Sequence, residues 1–208
     1  MKPIKIIIIS IILIPFFSNS PVKSQVRMGF NYGLDLYEHF TNPERAGDTT
    51  LHTAGNAIAN IIIGPKLFLG YNKFSISGEV QINWGITAFC YKEFKGIGAL
   101  SFPFLCKMNF GGLSGLTDNT GKFGFSLGGG LQYSMTEIYG LETEFQGLTT
   151  RDLFKTYVGE MQIGYRAESG IASFYFRYGQ GDNNSSTYNI GYIASYIFPS
   201  KHSGRHRH

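Results

Sequence analysis

Three sets of residues in this 208-residue chain could carry chemistry. The first is Gly124-Phe125-Ser126-Leu127-Gly128, which fits the G-x-S-x-G pattern of a hydrolase nucleophile elbow. Such an elbow presents its serine on a sharp turn between a strand and a helix. Here an alternating apolar and small-residue pattern runs on through Tyr133 and no helical pattern follows, so Ser126 reads as one small residue on a strand face. Gly128, Gly129 and Gly130 lack the lysine and the helix of a phosphate loop. The second set is five histidines, His39 and His52 in a polar loop and His202, His206 and His208 in a basic tail. None falls in a segment read as a strand, so none is held as a general base, and they have no fixed metal-ligand spacing. A loop metal site of His39 and His52 with Glu38, Glu44 or Asp48 is weaker than plain loop polarity. The third set is eight charged residues, Arg27, Asp35, Lys66, Glu79, Lys107, Glu160, Arg166 and Arg177, which share one phase of an alternating pattern.

That pattern belongs to strands. Val26, Met28, Phe30, Tyr32, Leu34 and Leu36 alternate with Arg27, Gly29, Asn31, Gly33 and Asp35, a period of two that only an extended chain has. The same split recurs in residues 74 to 87 and 123 to 133, and the other strands read roughly as 57 to 71, 97 to 110, 155 to 166, 171 to 180 and 187 to 198. That gives eight strands. Composition agrees: 27 glycines are about twice the usual share of about 7%, and 15% charged residues fall short of the usual quarter or so. A coiled coil and a disordered chain are both excluded. Pro65 and Pro103 fall inside strands, where each removes a ladder bond and implies a bulge.

The N-terminus is read as an export signal. Two lysines at 2 and 5 precede an apolar run of residues 6 to 17, and residues 18 to 24 are small and polar, with Val22 and Ser24 suited to cleavage before Gln25. The run is too short for a spanning helix, which needs about 20 residues. Residues 1–24 are thus a signal peptide, 25–198 the barrel, and 199–208 a basic, His-containing tail. Without Lys2, Lys5 and Lys23 the net charge of +4 falls to +1, and without Lys201, Arg205 and Arg207 to −2, so the body is no polyanion binder and nucleic acid is not a partner.

The polar face decides the solvent. It is mostly Gly, Ser, Asn and Gln with single charges, whereas a water-facing exterior carries many Lys and Glu. Small polar residues suit a narrow barrel interior, and the uniformly aromatic and aliphatic opposite face suits lipid. Outward aromatics gather at strand ends, with Tyr71, Phe74, Phe110, Phe123, Tyr165 and Phe198 at one level. Trp84, Tyr133, Tyr157, Tyr178 and Tyr188 form the other, as two interfacial girdles. Connectors alternate between long and tight, except that 111 to 121 is long where a tight turn is due. Cys90 and Cys106 fall about 25 Å apart at about 3.3 Å per residue, too far for a disulfide.

Residues 99 to 110, Ala-Leu-Ser-Phe-Pro-Phe-Leu-Cys-Lys-Met-Asn-Phe, together with Gly191, Tyr192 and the aromatic end of the last strand, resemble the PorT-like bacterial outer-membrane β-barrel family. The resemblance implies an outer-membrane barrel, and through some members of that family a part in secretion or gliding. The expectation is therefore an all-β, eight-stranded, antiparallel, up-and-down transmembrane β-barrel with a cleaved signal peptide in the bacterial outer membrane. It has no catalytic residue, metal or cofactor. The eight inward charges pair as a plug rather than line a channel, because an eight-stranded lumen is only wide enough for side chains. The partners are outer-membrane lipid, the barrel-insertion machinery, and a protein or surface ligand at loops 38–56 and 135–154, and the last strand, with Tyr192, Tyr196 and Phe198, is the one on which closure and assembly depend. The rivals are a soluble exported barrel binding an apolar ligand inside, and a lipid-active membrane enzyme.

Overall fold

The computed structural model describes residues 24–43, 54–90, 95–116, 121–135, 139–140, 153–168 and 170–199. The apolar run read as a signal, the tail beyond Pro199, His52 and most of the two long loops lie outside the described residues. The strands are β1 (Gln25–Thr41), β2 (Ala54–Tyr71), β3 (Phe74–Val80), β4 (Ile82–Cys90), β5 (Lys95–Gly111), β6 (Phe123–Met135), β7 (Tyr139–Gly140), β8 (Phe154–Ala167), β9 (Gly170–Gly181) and β10 (Ser186–Ile197). β3 and β4 are halves of one stave, and β7 adds two residues beside the start of β5, so the sheet has eight antiparallel staves. β1 pairs with both β2 and β10, which closes the barrel. The Phe198 amide donates to the Met28 carbonyl at 2.9 Å, extending the seam one residue past β10.

Neither proline makes a bulge. β2 keeps one register through Pro65, from Gly70 opposite Gln25 to Asn60 opposite Asp35. β5 likewise keeps one register, with Phe104 opposite Val80 and Ser101 opposite Asn83. The prolines act instead on the stave between them. Pro65 stands level with Val80 and Pro103 accepts from the Gln81 amide at 2.9 Å but has no N–H to return. The lost bonds on both sides interrupt that stave at Gln81, dividing β3 from β4 with no slip of register.

The register shift lies elsewhere, in β1 at Leu36. Asp35 is opposite Gly191 and Tyr37 opposite Ile190, so β1 has one residue more than β10. Ala59, level with Leu36 on β2, takes the left-handed conformation at φ 59°. Leu36, Tyr37 and Ile58 all face outward, and beyond them the inward phase of both strands inverts. The first loop is consequently shorter than 38–56: Glu38 to Thr41 and Ala54 to Asn56 are strand. His39, expected in a loop, sits on β1, where its Nδ1 and the Tyr37 hydroxyl donate to Asn56 Oδ1 at 2.9 and 2.8 Å.

The tight turns at Asn72-Lys73 and after Ala167 share an end with Gln25 and Ile197, the periplasmic end of a membrane barrel. The over-long connector there folds inward. A short 3₁₀ turn over Gly112–Ser114 brings Leu113 and Leu116 into an apolar cluster with Phe68, Ile171 and Ile197. Gly115, at φ 72°, lies against the Phe68 ring, where an added Cβ would stand 2.7 Å from a ring carbon. Ser75 Oγ donates to the Ser114 carbonyl at 2.7 Å, fixing this cap to the wall. A second cluster, Phe40, Ala57, Ala99 and Phe154, lies toward the opposite end.

Outside, Ile76, Ile82, Leu127, Met161, Ile163 and Phe174 are exposed in one continuous belt. The aromatics read as girdles project from the same face, with Phe110 stacked on Phe125 at 4.6 Å at one level and Phe176 edge-on to Tyr188 at 5.1 Å at the other. A closed barrel removes every sheet edge, and an apolar belt on its outside is stable only in lipid. The architecture is that of a bacterial outer-membrane β-barrel. Arginine in place of Ile82 or Leu127 is therefore expected to cost about 2 to 4 kcal/mol in urea unfolding from lipid vesicles, while arginine at Gln146, in the loop read from the sequence as 135–154 and outside the described residues, is expected to cost little. Equal tolerance at the two kinds of position would show the faces misassigned.

Candidate functional site

With the exterior given to lipid, the polar side chains of the staves meet in the lumen. Asp35, Glu38, Lys66, Glu79, Lys107, Glu160 and Arg177 are all buried there. Cross-strand pairing sets their order: Asn189 is opposite Glu38, Arg177 opposite Asn189, Glu160 opposite Arg177, Gly128 opposite Glu160, and Lys107 opposite Gly128. Gly128 is the gap in this row. A Cβ there would lie 2.4 Å from Lys107 Cγ, so the glycine gives Lys107 room to lie across to Glu160.

The charges form a continuous ladder from five staves, reaching across β6 at Gly128. Lys66 Nζ is 3.3 Å from Glu79 Oε2, and Lys107 bridges Glu79 and Glu160, the latter at 2.5 Å. Arg177 closes on Glu160 through Nε at 2.6 Å and Nη2 at 2.5 Å. The remaining hydrogen-bonding capacity is met by amides. Arg177 donates from Nη1 to Gln132 Oε1 at 3.1 Å and from Nη2 to Gln81 Oε1 at 2.8 Å. Glu79 accepts from Asn31 at 2.9 Å and Glu160 from Gln162 at 2.7 Å. Buried ion pairs are stable only when their remaining lone pairs and protons are satisfied in this way.

Of the eight inward charges read from the sequence, five stand in the ladder and Asp35 is buried apart from it, accepting a hydrogen bond from Asn189 Nδ2 at 2.7 Å. Arg27 and Arg166 are half-buried at the periplasmic end, opposite Phe68 and Ile171, and are not brought to the ladder. Glu38 is a seventh fully inward charge that alternation misses. It accepts from Asn60 at 2.8 Å and is 3.5 Å from the Gln132 amide. The one sequence signal for it is the adjacent pair Leu36-Tyr37 between two acids, where strict alternation fails.

The remaining candidates have structural roles. Ser126 is buried in the middle of β6 and donates to Asn109 Oδ1 at 2.8 Å, with no strand-to-helix turn around it. Cys106 is exposed on the lipid face, opposite Gly78 and Gly129. Among the described residues no three or more His, Cys, Asp or Glu side chains are gathered to hold a metal. Tyr192 and Tyr196 face outward on β10, and Phe198 follows them at the seam.

No family profile and no curated protein matches the chain. Among solved structures it is similar to Ail, the attachment invasion locus protein of Yersinia pestis, solved in complex with the heparin analogue sucrose octasulfate. The two share 10% identity over 84% of this chain and 99% of that one, with a TM-score of 0.49. It is also similar to Neisserial surface protein A, at 7% identity over 84% of this chain and 99% of that one, with a TM-score of 0.46.

Proposed function

We propose that this is a non-enzymatic outer-membrane protein whose lumen is a plug and whose work is done by its surface loops. The observation that carries this reading is the ladder Lys66–Glu79–Lys107–Glu160–Arg177, which crosses the lumen with an apolar cluster on either side of it. An ion entering from either end would meet apolar side chains and then fixed charges that already neutralise one another. On the described lumen walls buried polar and charged side chains outnumber apolar ones, and apolar ones pack against one another in small clusters, which argues against a soluble barrel with an apolar ligand inside. No nucleophile and base stand together on those walls, which argues against a lipid-active enzyme.

What is left to act is the outer rim, where the chain leaves the staves beyond Thr41 and beyond Met135, into the loops read from the sequence as 38–56 and 135–154. Scaffolds that are rigid and closed commonly carry their contacts on such loops. The likeness of residues 99 to 110 and of the last strand to PorT-like barrels supports a place in a secretion or envelope assembly, joined through those loops. The test is electrical. Protein reconstituted in planar bilayers is expected to give no steady conductance, and steady porin-like currents under mild conditions would overturn the plug.

A further inference from the structure

Among the described side chains of the staves, Lys155 is the one Lys, Arg, Asp or Glu that faces outward. Phe154 and Thr156 on either side of it are buried, and Lys155 shares the outward phase of Tyr157, Gly159 and Met161. A lysine on the lipid face of a barrel is costly at the bilayer midplane and tolerated near the interfaces. Lys155 stands at such a level. It lies near the extracellular start of β8, opposite Tyr133 and beside Tyr157, within the girdle that Tyr178 and Tyr188 continue.

The protein leaves this charge unneutralised. Among the described residues no carboxylate forms an ion pair with Lys155, and Asp182, in the turn after β9, acts on it only from beyond ion-pair distance. Its ammonium lies instead over the Tyr157 ring, 5.0 Å from the centroid, which places the side chain without cancelling its charge. On the next stave Gln180 is exposed on the outward phase, opposite Tyr157. The ammonium, the Gln180 amide and the hydroxyls of Tyr133 and Tyr157 therefore gather hydrogen-bond donors on one patch at headgroup level. Such a patch fits an anion. A second copy of the barrel would bring to it an outward face with no acid among its described side chains, so charge complementarity selects lipid. The apolar belt below, with Met161 and Ile163 on the same stave, continues the contact along acyl chains.

We propose that Lys155, with Tyr133, Tyr157 and Gln180 around it, binds the phosphate of an anionic lipid of the outer leaflet, held against the face formed by β6, β8 and β9. This rests on the exterior lying in lipid and is independent of the plug and of any partner at the loops.

The test uses tryptophan quenching by lipids brominated on their acyl chains. Trp84 is the sole tryptophan of the chain and stands on β4, three staves from β8. The mature protein is refolded into mixed vesicles of phosphatidylcholine and phosphatidylglycerol, with one or the other lipid brominated. Trp84 should be quenched by both without preference, and no quenching by either would overturn the lipid-facing wall and the proposal with it. A reporter beside Lys155 is made by Leu131→Trp in a Trp84→Phe background, since Leu131 is opposite Tyr157. Tyr157→Trp is a second reporter that keeps a ring under the ammonium. There phosphatidylglycerol should associate about fivefold more strongly than phosphatidylcholine, the preference that one basic side chain near a membrane surface is worth. Lys155→Gln should bring the ratio to one, Lys155→Arg should keep it, and about 1 M salt should abolish it. A ratio of one with Lys155 in place would overturn the proposal. A preference that survives Lys155→Gln, or that Trp84 shows equally, would overturn the site.

Discussion

Replacing Arg177 by alanine is expected to remove about 3 to 5 kcal/mol of stability, measured by urea unfolding of the reconstituted barrel, because it strands buried partners. Arg177 is fully buried and makes four bonds, two to Glu160 and one each to Gln132 and Gln81. Its loss leaves Glu160 with Lys107 and the Gln162 amide as partners, and leaves two amide oxygens without donors in a lumen where water is scarce. Glu160→Ala should cost a similar amount, since it frees both Arg177 and Lys107. The double variant should cost much less than the sum, because each single change already breaks the same contact. A loss below about 1 kcal/mol for Arg177→Ala would place the pair in water, as at a surface salt bridge, and would sink the plug.

The parts of this structure that could be read from the sequence are those in which local pattern and solvent agree. Strands β3 and β8 alternate without a break, and β9 does so from Ser173 to Gln180, so their faces and the inward placement of Glu79, Glu160 and Arg177 follow from the period of two. Three things were out of reach. Alternation has no memory across a bulge, so the sequence pattern places Glu38 and His39 in a loop where the inserted Leu36 only inverts their phase. A proline shows that a ladder bond is missing but not which neighbour loses it, and here Pro65 and Pro103 both act on the stave between them, at Gln81. The connector 111 to 121 is an outlier in length because its two leucines bind the barrel from inside, a contact made with Phe68, Ile171 and Ile197 that are remote in sequence. The ladder lay in between. Its members could be named, but which acid meets which base depends on the stagger of the staves.

Deleting residues 187 to 198 is expected to abolish accumulation of the protein in the outer membrane, the largest effect anticipated for any change to this chain. β10 is held on both sides, by β9 from Ser186 to Tyr196 and by β1 from Thr41 to Gly29. Without it β1 and β9 become open edges, and in a bilayer core every unpaired N–H and C=O on them costs several kcal/mol, far beyond the stability of the remaining staves. A finer change tests recognition apart from closure. Tyr196 and Phe198 pack edge to face at 5.5 Å on the outside of the seam, and neither side chain enters the lumen. Changing both to serine keeps the backbone ladder, including the Phe198 to Met28 bond, and removes the aromatic end of the closing strand, which we propose the barrel-insertion machinery reads. The double variant should fail to accumulate in cells yet still refold into vesicles from urea. Deleting residues 199 to 208 should leave both readouts unchanged, since Pro199 has no N–H to donate and the paired part of the seam ends before it. A tail deletion that blocks insertion, alongside a harmless double serine variant, would move the assembly signal from β10 to the tail.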